Sequence, residues 1–382
     1  MGRQTFTRSA YVGVKEKATA GGKKAATAEA EKKVKSGGGM DPMVDPKGLS
    51  HLGSIRRSLP RFEKYKKLWR LTRGMPMWLL TLLDVTGSMG GNIELAFESL
   101  PLLYEMLTSG KIPILGRYDV QIGTSAFGDV DDEKTPQGIP PFTWTQFEMA
   151  EKIAIQMSKL IPTKGGGSNN KESPEFGLFG AAYLTNCRIN DYGLKGYHFT
   201  LSDDNVPENI DLYWLKQIYG DGVLDTAKEN GYEFKGGKLP NTARVVADLQ
   251  KKAHAFFLEV HGPAVQEQWA GFYGADHVVQ IPSTQNLHAV QATIIGLTEG
   301  VITLTTAGEF LEEHGISKAD AKAIVRSVAH IPVGAQTLLP NFSKLPLAGD
   351  LFAEKTDLWP AEAVEVAAEE DEKPDEDEPG FK

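Results

Sequence analysis

Oxygen-bearing side chains recur at two-residue spacing in one short loop. Asp84, Thr86 and Ser88 come at the end of a continuously apolar run, MWLLTLLD, over residues 77–84. A carboxylate followed by hydroxyl groups two and four residues further on can direct several oxygens from a single loop onto a hard cation. Another apolar run, YHFTLSD over residues 197–203, also ends in an acidic residue, Asp203. The pattern predicts a divalent-metal site.

Each of these residues also has a purely structural interpretation. Aspartate is a favoured N-cap of helices, and Thr86 and Ser88 are common turn residues. The combination favours the metal site, because both aspartates end apolar runs and glycines follow the first of them. Those glycines, which permit a tight turn into the next helix, are Gly87, Gly90 and Gly91.

The elements around these residues alternate between strands and helices from residue 74 to 304. Apolar runs predict strands over 77–84, 119–127, 142–147, 197–203, 254–260 and 277–281, and the patterns between them predict helices near 93–107, 148–160, 241–252 and 287–297. A further helix is expected after the polar loop TKGGGSNN, where Ser173 can cap it and Pro174 lies in its first turn. This alternation is typical of a doubly wound α/β fold with a mainly parallel sheet flanked by helices. Ligands of such sheets bind beyond the carboxyl ends of the strands, where Asp84 and Asp203 are expected to meet.

The string LLDVTGSMG resembles the first metal-binding loop of von Willebrand factor A domains, whose pattern is Asp-x-Ser/Thr-x-Ser. The pair Ser202-Asp203 is similar to the later acidic loop of that family. The middle loop matches in part, through Gly165-Gly166-Gly167-Ser168 and then Ser173-Pro174-Glu175. The resemblance covers residues 74–304 and implies a Rossmann-like sheet.

The resemblance also implies a metal-ion-dependent adhesion site holding Mg²⁺ or Mn²⁺. Asp84 would bind the cation directly or through water, Thr86 and Ser88 directly, and Asp203 through water. The middle loop would contribute Ser168, with Asn169 or Glu172 as alternatives.

A site of this kind binds a carboxylate of a partner protein as the last ligand of the cation. Intracellular members of the family often work beside AAA+ ATPases or in multi-gene bacterial and phage systems. The resemblance therefore implies a metal-dependent protein–protein interaction module within a larger complex, and not an enzyme.

Other chemistry has weaker support. The string GGGSNNK lacks the ending of a phosphate-binding loop, and the histidines do not have HExxH spacing. We expect His198, His254, His261 and His277 to be structural and Asp129 to be a turn residue. Two alternative functions stay open. One is a metal-dependent hydrolase that uses the same cation to activate water, and the other is a nucleic-acid-associated scaffold that uses the basic N-terminal segment.

Charge is distributed unevenly along the 382 residues, whose net charge is −9. Residues 1–73 contain 18 Lys and Arg against 6 Asp and Glu, whereas residues 361–382 contain 10 acidic residues against 2 basic ones. The composition predicts a disordered basic segment over 1–47, a basic helical or extended lead-in over 48–73, and a disordered acidic tail over 361–382. A helical and irregular extension is expected over 305–360, with helices at 307–313 and from Ser317 to Ala329.

The cysteine content and the lack of long apolar runs predict the cellular compartment. The only cysteine, Cys187, fits a reducing compartment, and without an apolar signal or membrane-spanning run we expect a cytoplasmic protein with no membrane partner.

Residues 205–241, which connect the strand at 197–203 to the helix at 241–252, contain more aromatic residues than a solvated loop needs. Two arrangements are possible for Tyr213, Trp214 and their neighbours. They either rise beside the metal as a partner surface or pack back onto the domain.

Overall fold

The computed structural model of this chain describes most of the region from residue 27 to 354. The described residues are 13, 16, 27–48, 60–111, 113–131, 139–149, 151–163, 165, 172–234, 236, 238–260, 265–347, 349–354 and 364–365.

A six-stranded sheet forms the centre of the fold. Ten strands are described: β1 Arg61–Tyr65, β2 Leu68–Arg73, β3 Met75–Asp84, β4 Tyr118–Phe127, β5 Phe142–Trp144, β6 Gly196–Ser202, β7 Ala253–Glu259, β8 Val278–Gln280, β9 Leu351–Phe352 and β10 Val364–Glu365. The central sheet has the order β5-β4-β3-β6-β7-β8. Its pairs are parallel except for β5, which is antiparallel to β4. All ten residues of β3 are buried, as expected for a strand covered on both faces.

Helices cover both faces of this sheet. The α-helices described are α1 Ala28–Lys35, α2 Asn92–Thr108, α3 Glu151–Met157, α4 Glu175–Phe179, α5 Arg188–Asp191, α6 Leu212–Tyr219, α7 Val223–Glu229, α8 Thr242–Leu249, α9 Gln266–Tyr273, α10 Leu287–Thr298, α11 Ala307–Glu313 and α12 Lys318–Ser327. Five further residues, Gly180–Leu184, continue α4 as a π-helix. In the described part of the chain, each helix is too short or too polar to cross a membrane.

Neighbouring residues of β3 show which helix lies on which face. On one face, Gln291 of α10 donates a hydrogen bond to the hydroxyl of Thr81 over 2.8 Å. On the other face, Gly177 of α4 lies so close to Leu82 that a Cβ atom there would be 2.4 Å from the leucine Cδ1. Successive side chains of a strand point to opposite faces, so the predicted doubly wound α/β architecture is confirmed.

Part of the segment predicted to be disordered is ordered against the domain. Residues 28–35 form α1, and the carbonyl group of Val44 accepts a hydrogen bond from the Trp144 amide over 2.9 Å. Val34 and Val44 are both buried. The prediction for these residues was wrong, because two valines in a polar stretch are enough to anchor it once a hydrophobic surface is available.

The lead-in takes the extended one of its two expected forms. Residues 61–73 form the hairpin β1–β2, which belongs to a second sheet of order β10-β1-β2-β9. The hairpin buries Phe62 and Leu71 against Trp69 and Phe352. Residues 61–73 are therefore extended and not helical, and residues 49–59 lie outside the described ones. The acidic tail, predicted to be disordered throughout, contributes β10 to this sheet.

The C-terminal extension closes the end of the sheet opposite the carboxyl edge. Helices α11 and α12 match the predicted spans, and Ser317 caps α12 through the Asp320 amide. Gln336 then joins the extension to the domain, since it bonds the ring of His254 over 2.8 Å and the carbonyl group of Lys195 over 3.0 Å.

A buried glutamate lies beside this junction. Glu299 follows α10 and accepts hydrogen bonds from the hydroxyl groups of Tyr197, over 2.7 Å, and Tyr118, over 3.1 Å. Burial raises the pKa of Glu299 to about 7, although the two tyrosine hydroxyls oppose the rise. The carboxyl group is thus held partly protonated near neutral pH.

The aromatic connection after β6 mostly packs onto the domain. It contains α6 and α7, and Tyr219 is fully buried, with its hydroxyl group bonded to the Phe176 carbonyl over 2.9 Å. Trp214 is half-buried against the core. Tyr213, by contrast, is 62% exposed. The interpretation as packing is correct for most of these rings, and Tyr213 is the exception.

Candidate metal centre

Four of the five predicted metal-binding side chains form a continuous hydrogen-bonded path. The Thr86 hydroxyl group donates to Asp84 Oδ1 over 2.6 Å, and the hydroxyl oxygens of Thr86 and Ser88 are 3.0 Å apart. Ser88 in turn donates to Asp203 Oδ1 over 3.0 Å. Residues 84 and 203, far apart in sequence, therefore meet at one edge of the sheet.

The parallel register explains this meeting. Leu83 of β3 pairs with Leu201 of β6, so Asp84 and Ser202 are the next residues along the two strands. The Ser202 hydroxyl group donates to Asp84 Oδ2 over 2.6 Å. In the sequence, Ser202 stands out only as part of the Ser202-Asp203 pair. Its position directly before Asp203 is the feature that indicates this contact.

The middle loop approaches the same edge, although its predicted ligand is not described. Ser168 and Asn169 lie outside the described residues. On one side of them, the Gly165 carbonyl group accepts a hydrogen bond from the Gly87 amide. On the other side, the amide of Glu172 donates to the Asn205 carbonyl group over 3.0 Å. The two flanks of this loop thus contact the loops that follow β3 and β6.

Among the described residues of the middle loop, Glu172 is the best candidate for a metal ligand. It is buried, and its Oε2 has no hydrogen-bond partner in the described part of the chain. Burial raises its pKa, and Asp84, Asp129 and Asp204 raise it further, whereas the Thr86 hydroxyl group lowers it. A carboxyl group surrounded by other carboxyl groups is one whose charge a cation would stabilise.

Asp84 shows the same electrostatic situation. Its carboxyl group is fully buried, and burial raises its pKa despite hydrogen bonds from Ser202 and Thr86. Asp203 raises that pKa further. Burying unpaired negative charge is costly, so the site is electrostatically unbalanced unless positive charge is supplied.

The donor set fits a hard cation. All the converging atoms are oxygens, which Mg²⁺ and Mn²⁺ prefer. Among the described residues, no three Asp, Glu, His or Cys side chains come together as a metal site. Binding at this edge would therefore depend on the hydroxyl groups of Thr86 and Ser88 beside the carboxylates.

The start of α4 differs from the prediction that Ser173 caps this helix. Ser173 does not cap α4, since its hydroxyl group accepts a hydrogen bond from the Val130 amide over 3.1 Å. It instead joins the middle loop to the turn after β4, where Asp129 Oδ1 accepts from the Asp131 amide over 2.9 Å. Asp129 is thus a turn residue, as predicted. Glu175, in the first turn of α4, is fully buried with a raised pKa caused mainly by burial.

Three histidines predicted to be structural, His198, His254 and His277, have their contacts away from this edge of the sheet. His254 bonds to Gln336, and burial lowers its pKa to about 4. His277 stacks on Phe256 with ring centroids 5.0 Å apart. His198 is buried within β6, and burial lowers its pKa to about 3. These three are structural, as predicted, and His261 lies outside the described residues.

The comparisons with known proteins include distant structural likenesses. No protein-family model and no curated protein matches the sequence. The pilus adhesin SpaC from Lactobacillus rhamnosus GG is similar in structure, with 14% identity, a TM-score of 0.37, and coverage of 62% of this chain and 34% of the adhesin chain. Proximal thread matrix protein 1 from the mussel byssus, solved with a zinc-occupied MIDAS motif, has 12% identity, a TM-score of 0.35, and coverage of 59% and 46%. The chain therefore spans less than half the length of either.

Proposed function

We propose that this chain contains a von Willebrand factor A-type domain that holds Mg²⁺ or Mn²⁺ at a metal-ion-dependent adhesion site and binds a carboxylate of a partner protein. The observation that carries the proposal is the path of oxygen atoms from Asp84 through Thr86 and Ser88 to Asp203. It joins two loops that are adjacent only in the folded chain.

The residues of the site would have different roles in binding the cation. Thr86 and Ser88 would offer neutral hydroxyl ligands, and Asp84 and Asp203 would supply the negative charge. Glu172 or Ser168 would add a ligand from the middle loop. When bound, the cation would supply an electrophilic coordination position for an acidic side chain, because Mg²⁺ takes six oxygen ligands and the chain offers fewer.

The rest of the carboxyl edge would hold this arrangement in place. Ser202 fixes the carboxylate of Asp84 by a 2.6 Å hydrogen bond, and Thr163 donates to the Val85 carbonyl group over 3.1 Å. Such supporting bonds orient the ligands of a metal. The module would act by binding and not by catalysis, within a complex that the sequence resemblance associates with AAA+ ATPases.

Affinity capture tests the function. The immobilised full-length chain is expected to retain a partner from a cell extract in Mg²⁺ and to release it in EDTA. A Ser88→Ala variant should retain at least ~10-fold less, because a direct ligand is lost. A Ser158→Ala variant, which changes a hydroxyl group away from the site, is the matched control.

The identity of the released protein then permits a reciprocal test. Replacing its acidic residues one at a time should identify a single Asp or Glu whose amide variant is no longer captured. Retention that is unchanged by EDTA and by Ser88→Ala would refute metal-dependent binding.

A further inference from the structure

The hairpin β1–β2 presents a strongly basic surface away from the metal centre. Residues 61–73, termed the basic hairpin, contain six Lys and Arg residues against one acidic residue, Glu63. Arg61, Lys64, Lys66 and Lys67 are exposed. Such a concentration of like charge on a two-stranded element attracts polyanions and is screened by salt.

The two faces of the basic hairpin differ in their surroundings, since one is buried and the other is partly exposed. One face buries Phe62 and Leu71, and so attaches the hairpin to β9. On the other face, Tyr65 is 42% exposed, with the guanidinium group of Arg70 lying 5.0 Å from its ring centroid. The Lys66 ammonium group lies 5.5 Å from the same centroid. The ring is thus both exposed and flanked by cations, an arrangement that burial does not explain.

Not every basic side chain of the hairpin is available. Arg73 pairs with Asp119 of β4, which fixes the hairpin to the central sheet. Arg70 pairs with Glu63 on the neighbouring strand. The available charge therefore lies on the exposed residues Arg61 and Lys64 of β1 and on the lysines of the turn, Lys66 and Lys67.

The acidic end of the chain is brought to this surface by β10. Its backbone pairs with β1 in parallel, with Arg61 opposite Val364 and Phe62 opposite Glu365. Because the pairing is parallel, the carboxyl end of β10 points in the direction of Lys64 and the turn. The residues that follow, 366–382, include eight Asp and Glu against two Lys.

The length of this remaining segment is sufficient. An extended chain spans roughly 3.3 Å per residue, so residues 366–382 can reach every lysine of a five-residue strand and its turn. A tethered segment of this length also experiences an effective concentration on the order of millimolar. Individually weak ion pairs can then be occupied for much of the time.

We propose that the basic hairpin is a docking surface for an acidic peptide segment, and that its occupant is this chain's own residues 366–382. The parallel pairing of β10 delivers the segment, and the opposite charges hold it. An external polyanion such as a single-stranded nucleic acid would reach Tyr65 and the lysines only by displacing it.

Amine labelling with mass spectrometry tests the docking in the intact protein. We compare the full-length chain, a chain ending at Glu365, and a full-length variant in which the eight acidic residues of 366–382 are changed to Asn or Gln. Lys64, Lys66 and Lys67 should be acylated severalfold more slowly in the unaltered chain at low salt. The difference should vanish near 1 M salt, where the screening length is about 3 Å.

Exposed Lys322 on α12 serves as the internal control and should react equally in all three chains. If the hairpin lysines also react equally in all three at low salt, the proposal is overturned. The three chains are compared by thermal melting, and equal melting temperatures show that the fold is intact in each.

A second measurement separates the possible occupants. A fluorescent peptide of residues 366–382 should bind the chain that ends at Glu365, and changing Lys64, Lys66 and Lys67 to Gln should weaken it at least ~10-fold. A single-stranded oligonucleotide should bind the shortened chain more tightly than the full-length chain. Equal oligonucleotide binding by both chains, with no binding of the peptide, would assign the hairpin to an external polyanion instead.

Discussion

Replacing Asp84 with asparagine is expected to lower the affinity for Mg²⁺ by on the order of 100-fold or more. The substitution keeps the shape of the side chain and one acceptor oxygen for the Thr86 amide. Its amide nitrogen replaces Oδ2 and can donate to the Ser202 hydroxyl group, which donates to Asp84 in the unaltered chain. It removes the charge that a hard cation needs most. Isothermal titration calorimetry with MgCl₂ on the full-length protein measures the effect.

The fold should survive this substitution. Because burial raises the pKa of Asp84, its charge is a cost to the metal-free protein, and the Tm in EDTA should not fall. Asp211→Asn is the matched control, since Asp211 is exposed and caps α6 through the Tyr213 amide. Equal Mg²⁺ affinity in wild type and Asp84→Asn would contradict the assignment.

Replacing Glu299 with glutamine is expected to change how stability depends on pH. The carboxyl group has a pKa of about 7 in the folded chain against an ordinary value of 4.5. Below pH 4.5 it is protonated in both states, and between these two values it is protonated mainly in the folded state. Unfolding then releases a proton, so this group's contribution to the free energy of unfolding is lost as the pH rises through 7.

The size of this effect is roughly 3 kcal/mol between pH 4 and 8, from about 1.4 kcal/mol for each unit of pKa difference. Chemical denaturation across that range should show wild type losing stability relative to Glu299→Gln by about this amount. Glu312→Gln, at an exposed position on α11, is the control and should follow wild type. Parallel profiles for wild type and Glu299→Gln would show that the buried carboxyl group is not protonated on folding.

The architecture and one half of the site could be predicted because their signals are local. The run before Asp84 is continuously apolar, which defines a strand buried on both faces. In a parallel sheet all carboxyl ends meet at one edge, so the sequence predicts that Asp84 and Asp203 lie close together. The path through Thr86 and Ser88 follows from their spacing in one loop.

The rest depends on contacts between residues that are distant in sequence. Val44 has too few apolar neighbours to predict order, and it is buried only because β5 offers its edge. Ser173 has the composition of a cap, but a more distant donor, the Val130 amide, takes its hydroxyl group. The basic hairpin was expected to be helical or extended, and its pairing with β9 and β10 requires segments nearly 300 residues away.

The burial of Glu172 was also beyond sequence reasoning. A glutamate side chain is ordinarily expected to be solvated. The family resemblance gives Glu172 only as an alternative to Ser168. The backbone bond to Asn205 draws it between the loops that follow β3 and β6. Such placement results from tertiary structure and leaves no periodic signal.

Titration of the wild-type chain with Mn²⁺, with free Mn²⁺ followed by electron paramagnetic resonance, tests the metal centre most directly. The arrangement of Asp84, Thr86, Ser88 and Asp203 predicts one Mn²⁺ bound per chain, displaced by Mg²⁺ and absent in Asp84→Asn. Binding of no Mn²⁺, or of Mn²⁺ that the Asp84→Asn variant retains in full, would contradict it.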